Sequence, residues 1–163
     1  MPAIYLPDPA ATESAGAALA STLCGGMIVT LKGDLAAGKT TLARGVLRAL
    51  GWTGLVKSPT YTLVEHYFVS RLYFYHFDFY RFAEPGEWET AGLAEYFRDD
   101  SVCLVEWPER VAGLLPAPDV ELVLAHREHD AAGRDLSLYS ATPAGELCKS
   151  AIAARLKRLP ARP

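Results

Sequence analysis

Met27-Ile28-Val29-Thr30-Leu31, then Gly33-Asp34-Leu35-Ala36-Ala37-Gly38-Lys39-Thr40, then Thr41-Leu42-Ala43-Arg44-Gly45-Val46-Leu47-Arg48-Ala49-Leu50 decide how the rest of the chain is read. The first five residues are an apolar run of strand type. Residues 42, 43, 46, 47 and 50 are apolar at helical spacing. Between them residues 33–40 fit G-x-x-x-x-G-K-[ST], a loop whose backbone N–H groups cradle phosphate oxygens. Its lysine reaches the outer phosphates and its hydroxyl holds Mg²⁺. A helix N-terminus carries unpaired N–H groups and the positive end of the helix dipole, so a phosphate is favoured there. The candidate nucleotide-binding residues are therefore Gly33, Asp34, Ala36, Ala37, Gly38, Lys39, Thr40 and Thr41, with Thr40 also a metal ligand. An ordinary strand-to-helix turn is the alternative. It is set aside because strand, glycine loop and helix come in the order the chemistry needs.

Working outward, 163 residues suit one domain with a real core, spanning 1–163. Half the residues are hydrophobic, as in a globular protein, and the net charge of −3 is poor material for a stand-alone nucleic-acid binder. Cys24, Cys103 and Cys148 are odd in number and far apart, with neither metal-ligand spacing nor a disulfide framework. No signal peptide or membrane-spanning run is evident, and the expected location is the cytoplasm.

Before the loop, Asp8-Pro9 caps and begins a helix, with Thr12 as the alternative cap; Ala15, Ala18, Leu19, Thr22 and Leu23 share its face. After it, Tyr61–Phe68 and Leu72–Phe79 read as a hairpin broken at Ser70-Arg71. A weakly helical acidic stretch covers Glu84–Arg98, followed by the apolar strand Val102–Val105. Val120–His126 and Arg134–Ala141 form a second hairpin around Asp130-Ala131-Ala132-Gly133. Thr142-Pro143 opens a last helix ending near Arg158. The expected fold is α/β, a P-loop NTPase-like three-layer sandwich on a mixed, mostly parallel sheet with two β-hairpins.

Hydrolysis needs a second anchor for the metal and a group to orient water. Glu106 closes the strand Val102–Val105 at its C-terminal end, where open α/β sheets bind ligands, and is the candidate acidic anchor. A solvated charge capping the strand is the plainer alternative. Trp107 could wall the nucleotide or simply pack. Along residues 72–79 a period of two puts His76 and Asp78 on one face. Asp78 after so apolar a run needs a partner and is a catalytic candidate beside Glu106 and Lys39. An ion pair with Arg81 is its plainer reading, and His76 reads as a satisfied core histidine. Ser58, Thr60 and Thr62, around Pro59, supply hydroxyls for a switch-like loop. The D-x-x-G match at Asp130–Gly133 lies in a predicted turn, and no N-K-x-D occurs, so ATP is preferred to GTP.

Four ordered motifs, Gly33–Thr41, Ser58-Pro59-Thr60-Tyr61-Thr62-Leu63-Val64, His76-Phe77-Asp78-Phe79-Tyr80-Arg81 and Val105-Glu106-Trp107-Pro108-Glu109, closely resemble the TsaE (YjeE) family of P-loop ATPases, over nearly the whole chain. That resemblance implies a part in threonylcarbamoyl modification of the adenosine beside the anticodon of tRNA. The family acts as an ATP-using accessory that binds the TsaB–TsaD complex and resets it between turnovers, meeting tRNA only through the complex. It further implies Lys39 on the β- and γ-phosphates, Thr40 and Glu106 on Mg²⁺, Asp78 in turnover, residues 58–62 as a nucleotide sensor, and Pro9 near the adenine. One departure is Ala36, where the family usually has glycine; a minor adjustment is expected provided its φ is negative. A small-molecule kinase, with residues 84–98 as its lid, and a non-enzymatic ATP switch are the competing readings. The basic residues Lys149, Arg155, Lys157, Arg158 and Arg162 read as compensation of a helix dipole rather than an RNA contact.

Overall fold

In the computed structural model, which describes residues 2–158, the glycine loop sits at the C-terminal edge of the middle of a sheet. The central strands are β2 (Ile28–Lys32), β4 (Leu72–Asp78), β5 (Ser101–Glu106) and β6 (Val120–Arg127). Around them lie β1 (Ile4–Leu6), β3 (Val64–Val69) and β7 (Asp130–Ser140), in the order β1-β7-β6-β2-β5-β4-β3. The pairings β6–β2, β2–β5 and β5–β4 are parallel, and the outer three are antiparallel. The mixed sheet follows from chain economy: parallel neighbours need crossovers, whereas hairpins add antiparallel strands at each side.

Helices α1 (Pro9–Ala20), α2 (Lys39–Ala49) and α4 (Pro143–Leu156) cover one face. Ala15, Leu19, Leu42, Val46 and Ile152 meet Val29, Leu31, Leu104, Leu122 and Leu136 there. The other face is covered over β4 and β5 by Phe79, Phe82, Trp88, Leu93 and Val111, which pack on Tyr75, Phe77, Cys103 and Val105. These come from the short helix α3 (Gly86–Thr90), two 3₁₀ turns at Leu93–Tyr96 and Pro108–Val111, and the connecting loops. The three-layer α/β arrangement is as expected. No helix among the described residues is long and apolar enough to cross a membrane.

Local chemistry sets the element ends. Asp8 is the N-cap of α1, its carboxylate accepting from Ala11 N at 2.8 Å, with Pro9 at the first helical position. Thr142 caps α4 in the same way, ahead of Pro143. Helix α1 crosses α2 closely: a Cβ on Gly16 would stand 2.2 Å from Leu42 O, and one on Gly45 2.2 Å from Glu13 O. Ser70 and Arg71, both at positive φ, make the tight turn between β3 and β4.

Two expectations need correction, and one strand lies beyond them. The second hairpin turns at Glu128-His129, with His129 at φ 62, rather than at 130–133, which begin β7. Asp130 is drawn into the strand because it accepts from Tyr5 Oη (2.6 Å) and Gly133 N (2.9 Å). Strand β1 carries too few residues for a periodic signal, and its pairing with β7 is a tertiary event. The first strand of the opening hairpin starts at Val64 instead of Tyr61, since the preceding residues turn back through Leu63 N donating to Pro59 O (2.8 Å). Arg162, one of the basic C-terminal residues, lies outside the described residues.

Candidate active site

Thr40 opens α2 where β2 and the loop deliver it, and its hydroxyl donates to Glu106 Oε1 at 3.0 Å. Glu106 ends β5, and parallel pairing puts it in register with Leu31 of β2 and Asp78 of β4. Two carboxylates from neighbouring strand tips therefore reach the loop on the same side. Both are buried, Asp78 at 3% and Glu106 at 2% exposure, and Lys39 is buried with them at 4%. Bare carboxylates there would be costly, so each is hydrogen-bonded. Asp78 Oδ2 accepts from Ser58 Oγ and, at 3.1 Å, from Thr60 Oγ1; its Oδ1 accepts from Tyr80 N at 2.8 Å. Glu106 also meets His76 Nε2 at 2.9 Å.

Lys39 folds back over its own loop. Its Nζ donates to Gly33 O (2.5 Å) and Asp34 O (2.8 Å) and stands 4.0 Å from the centroid of the Trp107 ring. Burial lowers the pKa of the ammonium from its ordinary value, while Glu106 and Asp78 pull the other way. Trp107 takes φ 59, a left-handed bend directly after β5 that lays its indole beside Lys39 and Tyr80. Such a conformation costs about 1–3 kcal/mol and is characteristic of functional sites.

These groups line one cavity of about 560 Å³, with Leu35–Thr41, Ser58, Thr60, Asp78 and Glu106 in its walls and Tyr61, Tyr80, Arg81 and Trp107 completing them. Tyr61 is 83% exposed and lies under the Arg81 guanidinium (4.4 Å), whose Nη2 donates to Tyr61 Oη at 3.2 Å. Arg81 thus pairs with tyrosine rather than with Asp78. A shallower groove between α1 and α2 is larger, about 620 Å³. It is lined mostly by small residues, and Glu13 and Arg155 are engaged by Arg44 and Ser14.

Most of the sequence candidates come together here, and some do not. Thr62 points its hydroxyl to Glu65 (3.2 Å) and does not line the cavity. Pro9 heads α1 outside it; the residue of α1 against the loop is Thr12, whose methyl lies 3.6 Å from where a Cβ on Gly38 would be. The condition set on Ala36 fails: its φ is 60, in the left-handed region. The adjustment is a strained alanine held by Arg134 of β7, which donates to Ala36 O (3.2 Å) and Ala37 O (3.1 Å). The sequence offered Thr12 only as a helix cap, Tyr80 only within the motif His76–Arg81 and Arg134 only as a strand residue, because the fold alone brings them to the loop.

A divalent cation fits the donors present. The Thr40 hydroxyl and the Glu106 carboxylate are hard oxygen ligands already within 3.0 Å of each other. Among the described residues no group of three or more His, Cys, Asp or Glu side chains is arranged to hold a metal. A cation here would complete its shell with water and phosphate oxygens, the habit of Mg²⁺.

The family model described as Threonylcarbamoyl adenosine biosynthesis protein TsaE matches residues 6–136. Over 126 residues the chain is 46% identical to the tRNA threonylcarbamoyladenosine biosynthesis protein TsaE of Haemophilus influenzae, covering 77% of this chain and 78% of that protein. The protein of the same name from Bacillus subtilis is 38% identical over 123 residues, 76% and 77% of the two chains. A crystal structure of Bacillus subtilis YdiB superposes with a TM-score of 0.78 at 29% identity, covering 93% of each chain.

Proposed function

The chain belongs to the TsaE family of tRNA threonylcarbamoyladenosine biosynthesis proteins, and from that premise we propose that it is a Mg²⁺-dependent ATPase serving the TsaB–TsaD complex. The observation that carries the reading is the meeting of Lys39, Thr40 and Glu106 at one end of the cavity behind the glycine loop. The triphosphate lies along the N–H groups of residues 33–41. Lys39 exchanges the carbonyls of Gly33 and Asp34 for β- and γ-phosphate oxygens, which compensates its burial better than neutral carbonyls do. Thr40 and Glu106 hold Mg²⁺, which when bound neutralises charge developing on the phosphates. Asp78 orients the attacking water; the water oxygen bonds to the γ-phosphorus as the bond to the bridging oxygen breaks, its proton passes to solvent or to the released inorganic phosphate, and ADP leaves.

The partners of Asp78 support slow turnover alone. Ser58 and Thr60 occupy its Oδ2, and that oxygen is free to hold water when those hydroxyls turn elsewhere, for instance to a γ-phosphate. Residues 58–60 thereby act as the nucleotide sensor. We assign the TsaB–TsaD complex the task of stabilising the released state, with tRNA held by that complex and the reaction in the cytoplasm. The kinase alternative loses its lid, since residues 84–98 line no part of the cavity and bury Trp88 and Leu93 on the opposite face of the sheet.

ATP turnover measured with and without TsaB–TsaD tests the proposal. Strong stimulation is expected, and its absence would leave a non-enzymatic ATP switch. Titration calorimetry with ATP, in Mg²⁺ and in chelator, should show Lys39→Ala losing binding in both and Glu106→Ala losing chiefly the Mg²⁺-dependent part.

A further inference from the structure

His76 has no exposed surface, and its Nε2 lies 2.9 Å from Glu106 Oε1. That oxygen is the one that accepts from Thr40 Oγ1 at 3.0 Å. A carboxylate oxygen only accepts, so the imidazole donates through Nε2. The second ring nitrogen, Nδ1, is buried with no hydrogen-bond partner. An unmatched buried polar atom lowers stability, and the surroundings are apolar: Phe74 lies two residues earlier on the same face and Leu104 lies in register on β5. An aliphatic side chain would pack there without that cost. The bond to Glu106 is what offsets it.

We infer that His76 is a positioning residue for Glu106: by holding Oε1 it fixes the rotamer of the carboxylate and leaves Oε2 for the cation. A glutamate has three side-chain torsions, and the Thr40 bond alone constrains one oxygen from one side. The histidine supplies the second constraint, from the core side of the strand. Outer partners of this kind orient ligands, and removing one typically lowers metal affinity about 10- to 100-fold. The inference rests on Glu106 being a metal ligand as proposed above.

Mg²⁺ affinity of the ATP-loaded full-length protein, ATP affinity in chelator and thermal midpoint are measured for wild type, Glu106→Ala, His76→Leu, His76→Asn and His76→Gln. Glutamine carries its amide nitrogen where Nε2 lies; asparagine carries it one bond short, where Nδ1 lies. His76→Leu and His76→Asn should lose about tenfold or more in Mg²⁺ affinity. His76→Gln should stay within about threefold of wild type, and chelator-state ATP affinity should be unchanged across the His76 variants. Retained Mg²⁺ affinity in His76→Asn overturns the inference, as does an equal loss in His76→Asn and His76→Gln that tracks the thermal midpoint. If His76→Leu fails to fold, the asparagine–glutamine pair decides alone. Wild type without Mg²⁺ enhancement, or Glu106→Ala retaining it, removes the metal assignment itself and the inference with it. That result is legible without any His76 variant.

Discussion

Ala36→Gly should leave the protein as stable as wild type or make it more stable by up to about 1 kcal/mol, the reverse of the usual effect of glycine. At an ordinary negative-φ position in a helix or strand, replacing alanine by glycine costs roughly 0.5–1 kcal/mol, because glycine loses more freedom on folding. Ala36 sits at φ 60, where the crowding of its Cβ against the backbone costs about 1–2 kcal/mol. Glycine removes that strain and pays back the entropy, so the two nearly cancel with a small balance in its favour. Two hydrogen bonds from Arg134 to the carbonyls of Ala36 and Ala37 hold the strained turn. In an Arg134→Ala background the alanine is freer to relax, so the glycine should help less, and the double-mutant cycle should show coupling of at least about 0.5 kcal/mol. Urea unfolding at equilibrium measures this, with an unchanged m-value required of each variant. A loss of more than about 0.5 kcal/mol in the single variant would show that residue 36 is not left-handed in solution, and the account of this loop would fall.

Burial holds the pKa of Lys39 below its ordinary 10.5. The folded chain thus sheds this proton first, and between the lowered value and 10.5 the unfolded chain binds more protons. Stability gains a contribution as pH rises through that window. Lys39→Met should flatten the rise in urea-unfolding free energy, and an unchanged slope would contradict the burial argument. Gly45→Ala places a methyl 2.2 Å from Glu13 O, a backbone atom, and should cost about 1–3 kcal/mol despite better helix propensity; a neutral result in thermal unfolding would mean that α1 and α2 pack more loosely. Burial pushes the Cys103 thiol up to about 12 and raises Cys148 as well, whereas Cys24 is exposed. A thiol reagent at mildly alkaline pH should modify one cysteine quickly in the folded protein and all three after denaturation, by intact mass.

Periodicity and punctuation determined a great deal. The strand, glycine loop and helix at residues 27–50 needed only local chemistry: an apolar run, glycines free to take positive φ, and a helical stripe. Glu106 and Asp78 were found because a strand that ends in charge places that charge at the sheet's edge, and the sheet then sets them in register. Asp8 and Thr142 declared their helices through capping, which is also local. What the order of residues could not determine was which distant groups would share a space. Arg134 reaches the loop 98 residues away from Ala36, and Thr12 stands over Gly38, because the folding of β7 and α1 around one core brings them there. His76 looked like an ordinary core residue, since period-two patterning says which face a side chain takes and nothing about the carboxylate waiting across the strand. The sign of φ at Ala36 was equally hidden. Alanine expresses no preference for the left-handed region, so only the path forced by the neighbouring strand and helix could put it there.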